Sequence, residues 1–237
     1  MDRKNKMKEK DEKDNKKDEI ESLKTVLIGE SGVGKTSIIQ KFVTNKFVPH
    51  RQTSLSAQFN SKIVNFKDIY EKLKFDIWDT IGQEKYRSLA KIFYKDAKVI
   101  IFVYDVTNPS SLEALKKYWY NETKNNCQED AIFAVVGNKI DLFDQIKVDK
   151  NEGEKFALQI GAVFQQTSAQ SSAGIDKLFD NLGKVHIIPD FDYREDEKVS
   201  RERYLKKFKD NPEYIDKLKS KGIKLDSSGL PKKKGCC

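Results

Sequence analysis

The run Gly29-Glu30-Ser31-Gly32-Val33-Gly34-Lys35-Thr36 follows directly on the apolar stretch Thr25-Val26-Leu27-Ile28. That pairing of residue types can hold a polyphosphate. The glycines allow a loop whose successive N–H groups turn inward as a nest for anionic oxygens, and the helix expected to start there adds its positive end. Lys35 supplies a mobile charge for the β- and γ-phosphates, and the Thr36 hydroxyl is placed to ligate Mg²⁺. The phosphate-binding set is therefore Ser31, Gly32, Val33, Gly34, Lys35, Thr36 and Ser37. Strand, loop and helix fall in the order the motif needs, which leaves little room for a glycine-rich turn that binds nothing.

The choice of base rests on a second segment, Asn138-Lys139-Ile140-Asp141, after the apolar run Ala131-Ile132-Phe133-Ala134-Val135-Val136. A carboxylate at Asp141 can accept hydrogen bonds from the N1–H and exocyclic amine of guanine. Adenine has no matching pair of donors, so a buried Asp141 would be left unsatisfied against it, at a cost on the order of a few kcal/mol. Asn138 and Lys139 belong to the same site. A third segment, Thr167-Ser168-Ala169, follows Ala162-Val163-Phe164 and could present a backbone N–H to the guanine oxygen. Between these lies Asp79-Thr80-Ile81-Gly82-Gln83-Glu84.

In this order and spacing the motifs resemble those of the Ras superfamily of small GTPases and, within it, the Rab family of membrane-traffic switches. The resemblance covers about residues 22–188 and is strengthened by Leu73-Lys74-Phe75-Asp76-Ile77-Trp78, Lys85-Tyr86-Arg87-Ser88-Leu89 and Phe102-Val103-Tyr104-Asp105-Val106-Thr107. Tyr86-Arg87-Ser88-Leu89-Ala90 is similar to the endosomal branch. The resemblance implies a slow GTPase that cycles between cytosol and the cytoplasmic face of intracellular, endosomal membranes. Lys35, Gly82 and Gln83 would be its catalytic groups, Gln83 orienting the attacking water and the Gly82 N–H meeting the γ-phosphate. Thr36, Ser54 and Asp79 would serve Mg²⁺, Asp79 through a bound water. Phe47 matches an aromatic laid against guanine; a buried core phenylalanine is the competing reading. Phe59, Trp78 and Phe93 would form the effector surface. With no arginine in the phosphate loop to act in cis, fast turnover should need an activating protein. An exchange factor and a GDP-dissociation inhibitor or escort protein complete the expected partners, and the chain itself is expected to be a monomer.

Five positions depart from the family. Ser54, or Thr53 in a register one residue earlier, stands where a threonine usually ligates Mg²⁺, and Leu55-Ser56 replaces Ile-Gly. Ser54 keeps the hydroxyl but lacks the methyl that restricts its torsion. Ile81 replaces an alanine beside Gly82, where overpacking costs about 1–3 kcal/mol and could displace Gln83. Gln170 occupies a position against the base that a lysine commonly holds. These departures sustain an alternative, a GTP-binding scaffold recruited to membranes with negligible hydrolysis.

The elements that must position these groups are legible from hydropathy. Apolar runs alternate with amphipathic ones, which predicts an α/β fold: a six-stranded, mostly parallel sheet flanked by helices. Strands are predicted near 23–29, 58–66, 72–78, 98–104, 131–137 and 162–166, the second and third as an antiparallel edge hairpin. Helices are predicted near 35–44, 86–95, 110–124, 151–160 and 173–186, the last from Ile175, Leu178, Phe179, Leu182 and Val185. Every motif then falls at the carboxyl end of a strand, where such sheets bind ligands.

The 237 residues and 38% hydrophobic content suit one core of about 165 residues with two extensions rather than two domains. Residues 1–22 balance eight basic against eight acidic side chains and are expected to be disordered. No apolar run is long enough to span a bilayer, the charged N-terminus does not resemble a signal peptide, and three cysteines make no disulfide framework, so a cytosolic chain is expected. The net charge of +8 is concentrated in 217–237, with seven lysines against one acid. That placement argues against nucleic acid as a partner and for an anionic membrane, because Cys236 and Cys237 resemble a doubly prenylated terminus. The 189–237 segment is expected to be a flexible basic tail. Within it Val199, Tyr204, Leu205, Phe208, Tyr214, Ile215 and Leu218 recur among charges, and both a partner- or membrane-binding segment and a solvated spacer remain open.

Overall fold

The computed structural model of the chain describes residues 20–49, 58–67, 69, 71–80, 92–188, 191–195, 199, 202, 205, 212–220 and 222–225. Six strands form one sheet: β1 (Ser22–Ile28), β2 (Gln58–Phe66), β3 (Glu71–Asp79), β4 (Val99–Asp105), β5 (Ile132–Asn138) and β6 (Val163–Thr167). Their order is β2-β3-β1-β4-β5-β6. The β2–β3 pair is antiparallel and the other pairs are parallel. Hydropathy explains the placement. Val99-Ile100-Ile101-Phe102-Val103 is apolar throughout because β4 is covered on both faces, whereas β2 alternates because it is an edge strand with one face toward solvent.

Helix α1 (Lys35–Thr44) starts where Gly34 takes a left-handed conformation and ends at Asn45, also left-handed. The next long helix, α2, runs through Pro109–Ala114, a π-helical turn at Leu115–Trp119, and Tyr120–Lys124. Its start is fixed by Asn108, whose side chain accepts from the Ser110 N–H, and by Pro109 at the first helical position. Helices α3 (Lys150–Gln159) and α4 (Ile175–Ile187) complete the layers. The predicted helix near 86–95 lies mostly outside the described residues, which show helix at 92–94.

Two apolar clusters sandwich the sheet. One joins α1 and α4 to it through Ile38, Phe42, Leu178, Phe179 and Leu182; the other joins α2 and α3 through Leu112, Leu115, Trp119, Phe156 and Ala157. The Phe42 and Phe179 rings stack with centroids 3.5 Å apart, and both meet Phe75 edge-on.

Some described residues of the 189–237 segment pack on the domain. Leu205 and Leu218 are buried in the α1/α4 cluster, at 4% and 1% exposure, and Phe191, Tyr193, Ile223 and Leu225 pack against it. Leu218 lies on a further helix, α5 (Pro212–Ser220), which begins at the proline that bars a longer one. The physical reason is that these apolar side chains find uncovered core surface to bury. Among the described residues no helix is long and apolar enough to cross a membrane.

Candidate functional site

The phosphate loop leaves β1 and is held against its neighbours at close quarters. Gly29 has φ +150°, and a Cβ there would lie 2.2 Å from the Val103 carbonyl oxygen of β4. Gly34, at φ +101°, would put a Cβ 2.3 Å from Asn138 Nδ2. Both positions are closed to any side chain. Ser31 and Gly32 are exposed at the loop's crest, Val33 is buried beneath it, and Thr36 and Ser37 are half-buried in the first turn of α1.

Lys35 is buried, and its ammonium donates to the carbonyl oxygens of Gly29, at 2.8 Å, and Glu30, at 2.9 Å. Burial pulls its pKa down to about 8, against the opposing pull of the Asp79 and Glu30 carboxylates. A cation held this way, lying on neutral carbonyls with its desolvation only partly offset by those carboxylates, is poised to exchange its partners for phosphate oxygens. The Thr36 hydroxyl donates to Asp79 Oδ2 at 2.5 Å, bringing the first turn of α1 to the end of β3. The pair forms a hard oxygen donor set, the kind Mg²⁺ takes alongside phosphate and water. Thr80, next to Asp79, donates to the Leu27 carbonyl and ties β3 back to β1.

Asn138 ends β5 and braces the site. Its Nδ2 donates to the Val33 carbonyl at 2.9 Å, and its Oδ1 accepts from the Thr167 hydroxyl at 3.1 Å, so one side chain joins the phosphate loop, β5 and β6. Lys139 has φ +71° and pairs with Asp105 Oδ2 at 2.6 Å. Asp141 is half-buried and its Oδ1 accepts from the Ser168 hydroxyl at 2.5 Å; Ser168 in turn accepts from the Ser171 N–H. This chain of bonds anchors one oxygen of the carboxylate. Ala169 is buried beside it and Gln170 is exposed. Phe47 is half-buried and packs on the α1/α4 cluster, with its outer surface open.

On the outer face of the β2–β3 hairpin, the register sets Phe59 opposite Trp78, with ring centroids 5.2 Å apart; Trp78 meets Phe93 at 5.7 Å. Phe59 is 52% exposed. The three form a continuous aromatic strip.

Ser54, Thr53, Ile81, Gly82, Gln83, Cys236 and Cys237 lie outside the described residues. Four side chains to which the motif reading gives no role also bond here: Glu30, Asp105 and Thr167, which lie within the motif segments, and Trp119, which lies outside them. Glu30 Oε1 accepts from the Trp119 indole at 2.8 Å, a contact spanning 89 residues. Local patterning gives no sign of it; the one available signal was a carboxylate inside a loop built for anions.

The sequence matches the Ras family over residues 24–187. It is similar to the Ras-related protein RabC of Dictyostelium discoideum, at 38% identity over 67% of this chain and 81% of that protein. Ras-related protein Rab-22A of Homo sapiens is 36% identical over 70% of this chain and 84% of its own length. Ras-related protein Rab-31 of Rattus norvegicus is 34% identical over 92% of this chain and 98% of its own.

Proposed function

The chain belongs to the Ras family, and from that premise we propose how its residues bind, sense and hydrolyse the nucleotide. It is a GTP-binding, GTP-hydrolysing switch of the Rab type in membrane traffic. The observation that supports our assignment of residues is the convergence of the phosphate loop, Asp79 and the Asn138–Asp141 segment at the carboxyl ends of β1, β3 and β5.

Asp141, oriented by Ser168, accepts from the guanine edge, with the Ala169 region closing over the base and Phe47 flanking it. The loop from Ser31 to Ser37 cradles the phosphates, and Lys35 moves its charge from the Gly29 and Glu30 carbonyls onto them. Mg²⁺ would be held by Thr36, Ser54 and, through water, Asp79, and would neutralise charge building on the β- and γ-phosphate oxygens. Gln83 orients the attacking water and the Gly82 N–H meets the γ-phosphate, so both loops order around GTP and relax after hydrolysis. In the ordered state the Phe59, Trp78 and Phe93 strip receives effectors. The domain is bounded at about 22 and 188, acts as a monomer, and depends on an exchange factor, an activating protein and a GDP-dissociation inhibitor or escort. Prenylated Cys236 and Cys237 with the basic segment hold it on the cytoplasmic face of anionic endosomal membranes, leaving a cytosolic pool.

Single-turnover hydrolysis of GTP preloaded on the full chain tests this. Slow turnover by the parent, slowed at least tenfold more by Gln83→Leu, is the expected result. A parent that binds GTP and is inert, with turnover appearing in Ile81→Ala, would make the protein a GTP-locked scaffold.

A further inference from the structure

We propose that Trp119 is a positioning residue for the phosphate loop, acting through the carboxylate of Glu30. The inference rests on the functional reading above and adds to it a point of control on α2.

Glu30 is gripped at both ends. Its backbone carbonyl accepts from the Lys35 ammonium at 2.9 Å, facing into the site, while its side chain faces outward and accepts from Trp119 Nε1 at 2.8 Å. When Lys35 turns to the phosphates, of these two bonds the one to Trp119 remains and orients the residue's peptide. That peptide begins the run of N–H groups on which phosphate would rest. The loop is thus held at three places: Gly29 by its close approach to the Val103 carbonyl, which no side chain could enter, Val33 by a bond from the Asn138 amide, and Glu30 by a bond from the Trp119 indole. The first two come from the sheet. The third comes from a helix, and from the one stretch of it that departs from α geometry.

Trp119 closes the π-helical turn Leu115–Trp119. A π turn inserts an extra residue and rotates the later part of the helix by about 100°, so the turn decides where the indole points. The indole is 1% exposed and is held edge-on by Tyr118, with centroids 5.2 Å apart. A buried, rigid donor aimed at a carboxylate is a strong restraint. The Glu30 carboxylate also supports the charge on Lys35 from the same position.

Dissociation of fluorescently labelled GDP from the full chain, chased with excess GDP, tests the tether. Trp119→Phe keeps most of the ring packing and loses the N–H; Glu30→Ala loses the acceptor. Each should release nucleotide about tenfold faster or more, and the double variant no faster than Glu30→Ala alone, because Trp119→Phe then has no bond left to remove. Glu30→Gln, which retains an acceptor for the indole, should give back most of what Glu30→Ala loses. A role for Trp119 in packing alone would make the two effects multiply and leave the glutamine no better than the alanine, and either result overturns the proposal. Should Trp119→Phe fail to fold, the comparison of Glu30→Ala with Glu30→Gln still decides it. A parent chain that holds no labelled GDP sinks the functional reading itself, and the tether with it; unchanged release rates from a parent that does hold it sink the tether alone.

Discussion

Lys35 carries the sharpest chemistry of any single residue here. Its ammonium titrates near pH 8 because burial disfavours the charge, and phosphate binds the charged form. Nucleotide affinity should therefore be flat below about pH 7.5 and fall as pH rises through 8, by roughly sixfold between about pH 7 and about 8.8. Equilibrium titration with GDP checks this below the range where guanine N1–H itself ionises. The sign for folding is opposite. The unfolded chain binds more protons than the folded one between about 8 and 10.5, so the Lys35 contribution to the stability of the empty protein rises with pH across that window. A GDP affinity independent of pH would mean that Lys35 stays charged in the empty site. The chemistry of Lys35, Thr36, Asp79 and Asp141 was legible in the sequence because each sits in a short motif whose spacing is dictated by the ligand. Trp119 and the Ser168–Asp141 bond were not, since they depend on which strands and helices meet.

Elements were legible to within a residue or two where hydropathy has a clean period, as in α1, predicted at 35–44 and observed at Lys35–Thr44. They were less so where backbone geometry departs from a regular helix, as at the π turn of α2, for which no side-chain pattern stands proxy. Helix α4 shows how packing can override propensity. Gly183 lies inside it, and replacing an interior glycine by alanine ordinarily stabilises a helix by about 1 kcal/mol. Here the added Cβ would lie 2.0 Å from Cζ of Phe66, a ring that is itself 1% exposed and has nowhere to go. Overpacking of that kind costs about 1–3 kcal/mol, so Gly183→Ala should lower the thermal midpoint by several degrees. A midpoint unchanged or raised would show that the β2–β3 hairpin yields to α4, with Phe66 free to swing.

At the scale of the whole molecule, the surprise is the C-terminal segment. Apolar residues spaced among lysines and glutamates leave the sequence ambiguous there, because their periodicity is broken by Pro212 and the core cluster they join is built from residues far away in the sequence. Burial of Leu205 and Leu218 predicts that a chain truncated after Ile188 melts several degrees below the full chain, each leucine contributing about 1.5–3 kcal/mol when fully buried. Leu218→Ala should reproduce part of that loss without any truncation, and coincident melting of truncated and full chains would show that the segment adds nothing. The same packing shortens the leash. From Ile188 to Cys236 the chain could extend over roughly 160–170 Å, whereas from a docked Leu225 it reaches about 36–40 Å. With lipid on Cys236, the first length would let the domain sweep a wide volume above the bilayer, while the second keeps it within about its own diameter of the headgroups. Docking of the segment would thus set how far above a bilayer the domain stands.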